Sequence, residues 1–152
     1  MKPLEKLEQL GQSVWLDYLS RNFIEDGSLK KTMAEDGVKG VTSNPSIFEK
    51  AIGHSSEYDK QIAQILKAGE SDPKRIFRHL AVRDIQNGCD VLRPVYDATQ
   101  GADGFVSMEV APDLAHDTDA TIKEARELWQ AIARPNLMIK VPATKEGLPA
   151  IR

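Results

Sequence analysis

The sequence predicts an α/β protein built on a parallel sheet. Four short runs rich in β-branched and apolar residues recur along the chain, and segments of helix length and helical period separate them. Connections of that length imply crossovers between parallel strands rather than hairpins.

A leader helix carries Leu4, Leu7 and Leu10 and ends at Gly11. The first strand is Val14-Trp15-Leu16-Asp17-Tyr18, and the second runs from Val38 to Thr42. Asn44-Pro45 then reads as an N-cap followed by proline at the first helical position. A helix from about Glu57 to Lys67 turns Tyr58, Ile62, Ile65 and Leu66 inward, with Gly69 as its stop. Asp72 caps the clearest helix, with Pro73 at its first position and Ile76, Phe77, Leu80, Ala81, Ile85, Cys89 and Leu92 on one face. Pro94 is expected to kink or end that helix early, and Gly101 closes the connection. The third strand spans Phe105 to Val110. A helix from about Asp119 to Ala133 turns Ile122, Ala125, Leu128, Trp129 and Ile132 inward, before a fourth strand from Leu137 to Val141.

The order is therefore β, α, β, α, α, β, α, β, which fits either an open doubly wound sheet or part of a (β/α)8 barrel. A nucleotide-binding open sheet should show a Gly-rich loop after an early strand, and none is present. A complete barrel needs eight strands and about 250 residues. With four strands, and a last segment that reads as a helix barely begun, residues 1–152 are expected to be the N-terminal half of a single (β/α)8 barrel domain, its C-terminal half absent.

Composition narrows the function. The chain has 152 residues, 41% of them hydrophobic, and a net charge of −3, enough for one domain with a real core. Without a basic stripe, neither nucleic acid nor an anionic membrane is an expected partner. The single Cys89 rules out an intramolecular disulfide and suits a reducing compartment; on the apolar face of its helix it reads as core. With no signal-peptide pattern and no membrane-span-length run, the expected location is the cytoplasm. His54, His79 and His116 are scattered and lack metal-ligand spacing, and Trp15 and Trp129 read as packing residues.

Each strand ends on a polar residue that core packing would not place there: Asp17, then Thr42-Ser43-Asn44, then Glu109, then Lys140. Parallel α/β proteins bind ligands at the carboxyl ends of their strands. Taken singly, Asp17 or Glu109 could be a helix cap, and Lys140 an edge-strand charge facing water. Together, two carboxylates, an amide and a lysine match imine chemistry. A neutral Lys140 attacks a ketone and Glu109 or Asp17 moves protons, while Asn44 and Thr42 offer hydrogen bonds to sugar hydroxyls. Lys140 would have to be held partly deprotonated by apolar Ile139 and Val141, against the opposing pull of the two carboxylates.

Val14-Trp15-Leu16-Asp17, Gly40-Val41-Thr42-Ser43-Asn44-Pro45-Ser46-Ile47-Phe48, Val106-Ser107-Met108-Glu109-Val110 and Asn136-Leu137-Met138-Ile139-Lys140-Val141-Pro142-Ala143-Thr144 together resemble transaldolase, in the longer bacterial branch of that family. The resemblance covers nearly the whole chain. It implies a (β/α)8 barrel class I aldolase of the pentose phosphate pathway, a transferase that needs no cofactor or metal. Such an enzyme moves a dihydroxyacetone unit from sedoheptulose 7-phosphate to glyceraldehyde 3-phosphate. By the same resemblance Lys140 is the Schiff-base lysine, Glu109 with a water relays protons, and Asp17 assists carbon–carbon cleavage. Asn44 and Thr42, with Ser43 beside them, bind substrate. Family members run to roughly twice this length and supply phosphate-binding residues from their later strands. A half barrel exposes two strand edges and half an apolar interior, so activity would require a second copy in a homo-oligomer or a complementary C-terminal half. The alternatives are a simple class I aldolase of the same fold acting on fructose 6-phosphate, and a catalytically silent half-barrel fragment.

Overall fold

The computed structural model describes residues 3–152; Met1 and Lys2, part of the polar start of the chain, lie outside the described residues. A short helix α1 (Pro3–Gln9) precedes β1 (Val14–Leu16). Helices α2 (Arg21–Glu25) and α3 (Ser28–Asp36) lead to β2 (Val38–Val41), and α4 (Pro45–Gly53), α5 (Asp59–Lys67) and α6 (Pro73–Ala98) lead to β3 (Val106–Glu109). Helix α7 (Thr118–Ile132), β4 (Leu137–Lys140) and α8 (Leu148–Ile151) complete the order. The strands are all parallel and lie side by side in chain order, β1-β2-β3-β4.

That order carries architectural information. Parallel crossovers are almost always right-handed, so strands added in one direction put every connecting helix on the same face of the sheet. A doubly wound sheet instead reverses direction at a switch point. Strand alternation shows the one-sided arrangement: Leu16, Val41, Val106, Met108, Leu137 and Ile139 belong to the core shared with the helices. Trp15, Gly40, Phe105, Ser107, Glu109, Met138 and Lys140 alternate to the other face. Near the strand starts Trp15 lies over Gly40, where an added Cβ would come within 2.3 Å of the indole, and stacks on Phe105 at 6.5 Å. Glycine at position 40 is thus a space requirement.

The core runs along α6. Leu80, Ala81, Ile85, Cys89 and Leu92 are buried as the period indicates, and each large apolar side chain contributes about 1.5–3 kcal/mol by leaving water. Burial pushes the Cys89 thiol up to about 12, so it stays a neutral core group. The helix continues one turn past Pro94, contrary to an early end. Proline there forfeits a single hydrogen bond close to the terminus, and Thr99 closes the last turn by donating its Oγ1 hydrogen to the Val95 carbonyl at 2.8 Å.

Two side chains expected inward lie outward: Trp129 is 49% exposed and Leu66 51%. On α7 the buried stripe is Thr121, Leu128 and Ile132, and Trp129 sits about 100° around the helix from Leu128. Thr121 takes a buried place because its Oγ1 donates to the Leu114 carbonyl at 2.8 Å. In the leader helix region Leu7 and Leu10 are exposed.

One polar cluster penetrates the core. Arg21, at the start of α2, donates from Nε to Asp84 Oδ1 on α6 at 2.8 Å, and Tyr58 Oη donates to Asp84 Oδ2 at 2.8 Å. The Arg21 guanidinium lies 4.3 Å from the Tyr58 ring centroid, and the Arg21 backbone N–H donates to Tyr58 Oη at 3.2 Å. Burial holds the Asp84 carboxyl above the usual carboxylate range, against the opposing pull of Tyr58 and Arg21. The cluster ties the β1–α2 turn and the α4–α5 turn to α6. Asp84→Ala should cost about 3–5 kcal/mol, because it strands a buried guanidinium. Lys74→Ala, which breaks the exposed 2.6 Å pair with Asp113, should leave the unfolding midpoint unchanged. Chemical denaturation of both variants in the full chain checks the contrast.

Candidate active site

Glu109 and Lys140 are the last residues of neighbouring strands and stand directly opposite each other in the β3–β4 register. Their side chains point the same way, and Lys140 Nζ lies 3.3 Å from Glu109 Oε2. The ammonium also donates to the Ser43 carbonyl at 3.5 Å. The Lys140 side chain is 42% exposed, at the rim of the sheet rather than within it. Ile139 and Val141, expected to desolvate it, pack against the helix-side core. Alternation turns them away, so the group facing Lys140 is a carboxylate.

Across the sheet, Asp17 immediately follows β1, and Thr42 immediately follows β2. Thr42 Oγ1 donates to Asp17 Oδ1, while the Thr42 backbone N–H continues the ladder to the Leu16 carbonyl at 2.9 Å. Asn44 caps α4, its Oδ1 accepting from the Ile47 N–H at 3.0 Å, as the Asn-Pro pair indicates. The cap uses the amide oxygen and leaves the Nδ2 hydrogens for another acceptor. Ser43 is placed differently from its neighbours. It is 1% exposed, and its Oγ donates to the Ser107 carbonyl at 2.7 Å. Its hydroxyl therefore joins β2 to β3, and its carbonyl supports Lys140.

Asp17 and Asn44, with Tyr18, Ser46, Ile47 and Lys50, line a cleft of about 460 Å³. Glu109 lines a larger, mostly apolar cleft of about 790 Å³ between α4, α6 and α7. Lys140 lines neither cleft. The larger cleft belongs to the helix layer, whereas the Asp17–Thr42 and Glu109–Lys140 pairs stand at the carboxyl ends of the strands. Lys50 was not singled out by sequence reasoning; only its place on α4, two turns after Asn44, could have pointed to it. Ser107 was also missed, although it is a polar residue in an otherwise apolar strand, two positions before Glu109.

A family profile described as transaldolase/fructose-6-phosphate aldolase matches residues 14–152 of this chain. The chain belongs to that family. A transaldolase of Thiobacillus denitrificans is 49% identical over 150 residues, which cover 99% of this chain and 42% of that protein. A transaldolase of Trichodesmium erythraeum is 50% identical over 148 residues, covering 97% and 39%. Transaldolase 2 of Nostoc punctiforme is 51% identical over 148 residues, again covering 97% and 39%. The chain thus spans about two fifths of the length of these transaldolases. Among the described residues no helix is long and apolar enough to cross a membrane.

Within this family member, Asn44 has two separable properties, a cap oxygen and free amide hydrogens. Asn44→Ala should lower stability by about 1 kcal/mol through loss of the cap, whereas Asn44→Asp, which keeps a cap oxygen, should leave it nearly unchanged. Thermal or chemical unfolding of the two variants distinguishes them.

Proposed function

We propose that this chain supplies the first four β/α units of a (β/α)8 barrel and, with them, the imine-forming part of a transaldolase site. The carrying observation is the in-register Glu109–Lys140 pair at 3.3 Å on the carboxyl ends of adjacent parallel strands, with Asp17 and Thr42 beside it on the same rim. That spacing is just beyond direct proton transfer, about 2.6–3.2 Å, and well within reach through one water. The transaldolase relatives favour transfer of the ketone fragment over simple cleavage.

In this reading Lys140, as the neutral amine, attacks C2 of sedoheptulose 7-phosphate. Glu109 passes a proton to the departing hydroxyl, water leaves, and a protonated imine forms. Asp17 takes the proton from the C4 hydroxyl, and the C3–C4 bonding pair moves into the iminium. Erythrose 4-phosphate is released and an enamine of dihydroxyacetone remains on Lys140. The enamine carbon attacks the aldehyde of glyceraldehyde 3-phosphate, and the new alkoxide takes its proton back from Asp17. Water then returns, and hydrolysis releases fructose 6-phosphate. The iminium is the electron sink, so the cycle calls on no metal or organic cofactor. Thr42 fixes the orientation of Asp17, and the Asn44 amide hydrogens suit a donor hydroxyl in the cleft beside it. Ser43 acts indirectly, through its carbonyl at Lys140. This is carbohydrate metabolism of the pentose phosphate type.

The full chain incubated with fructose 6-phosphate and reduced with borohydride should carry a covalent adduct on the peptide containing Lys140, read by mass spectrometry. Lys140→Met should abolish the adduct while keeping the fold, since methionine fills a similar volume. Glu109→Gln should still form the adduct, about 10²–10⁴-fold more slowly. An adduct on another lysine, or none, would remove the assignment.

A further inference from the structure

Ser107 occupies the middle of β3 and alternates to the same sheet face as Glu109, two residues on. Its register partner on β4 is Met138, two residues before Lys140. On the other side, continuing the Val41–Val106 pairing by one residue places Thr42 opposite Ser107. Ser107 therefore lies one layer beneath the Glu109–Lys140 pair, next to the residue that holds Asp17. It is 2% exposed, and its Oγ has no hydrogen-bond partner among the described residues. The Ser43 hydroxyl is already committed to the Ser107 carbonyl, so it does not satisfy the side chain. A buried hydroxyl without a partner is unfavourable, and alanine would fill this space without that penalty. The hydroxyl therefore calls for a partner, and a water is the smallest group that can both donate to it and accept from it.

We propose that Ser107 is a positioning residue for the water of the imine step, an assignment that rests on the Schiff-base reading above. Its hydroxyl holds, beneath Glu109 and Lys140, the water expelled when Lys140 condenses with the ketone. The same position presents that water for hydrolysis. There the water oxygen forms the new C–O bond, the C=N π pair returns to nitrogen, and Glu109 takes the water's proton and passes it to the amine. The carbinolamine then collapses to the ketone and the Lys140 ammonium. A hydroxyl both donates and accepts, so it can follow the water in either direction without a net change in its own protonation.

Imine formation and hydrolysis exchange the ketone oxygen with solvent, which gives a direct readout. In H₂¹⁸O, the full chain should incorporate ¹⁸O at C2 of fructose 6-phosphate. Ser107→Ala and Ser107→Val should slow that exchange on the order of 10-fold or more, the low end of the range for positioned proton transfer. Ser107→Thr, which restores the hydroxyl in the shape of valine, should stay within about threefold of the parent on the same scale. Both hydroxyl-free variants should still reach the borohydride-trapped adduct on Lys140, with an undiminished unfolding midpoint. Exchange at the parent rate in the Ala and Val variants would overturn the Ser107 assignment alone. If only the valine variant misfolds, the alanine–threonine comparison still decides. No trapping on Lys140 in the unmodified protein would remove the Schiff-base reading and this assignment with it.

Discussion

The site depends on the register of β3 against β4, and Asn136 holds that register. Its backbone carbonyl accepts from the Val106 N–H at 3.0 Å, and its buried Nδ2 donates to the carbonyls of Gly104 at 2.9 Å and Cys89 at 2.8 Å. One side chain thus joins the start of β4, the approach to β3 and the α6 spine. From there the ladder runs Val106–Leu137, Ser107–Met138, Met108–Ile139 and Glu109–Lys140. A slip of one residue would turn Lys140 toward the helices and Ile139 toward the rim, exchanging the two faces of the strand. The Glu109–Lys140 pair is set by a polar anchor at the opposite end of the strands.

The same alternation explains why one sheet has two characters. The helix-side face is continuous apolar core, whereas the opposite face grades from Trp15, Phe105 and Gly40 near the strand starts to Asp17, Thr42, Glu109 and Lys140 at their ends. The apolar end supplies packing, and the polar end supplies groups that can hold and move protons. The buried Arg21–Asp84–Tyr58 cluster adds a third element by fixing the turn four residues after Asp17 to α6. It couples the placement of a rim carboxylate to the integrity of the core, which rim residues alone would not do.

Element identity was highly legible in the sequence. The four strands, the caps Asn44 and Asp72 and the apolar face of α6 each follow from period and local chemistry. Edges and exceptions were less so. Pro94 is tolerated because it falls near a helix end, and on α7 Thr121 takes a buried place by donating to the Leu114 carbonyl whereas Trp129 lies outward. Asp84 was hidden because a carboxylate on a helix reads as solvent-facing until Arg21 and Tyr58, distant in sequence, are brought to it.

The sequence by itself determined which residues stand at the strand ends, because helix-length connections and period-two alternation are local properties. The motifs around them also placed the chain in its family, which the profile match and the relatives at about 50% identity bear out. Tertiary structure decided how those residues meet. It set Glu109 opposite Lys140, paired Thr42 with Asp17, turned Ser43 inward, and left Ser107 buried without a partner. It also turned Ile139 and Val141, the expected apolar neighbours of Lys140, into the helix-side core, and left the lysine on an exposed rim facing Glu109. Whether a strand residue is desolvated depends on which neighbours share its face, and that is a property of register between strands rather than of the run in which the residue sits.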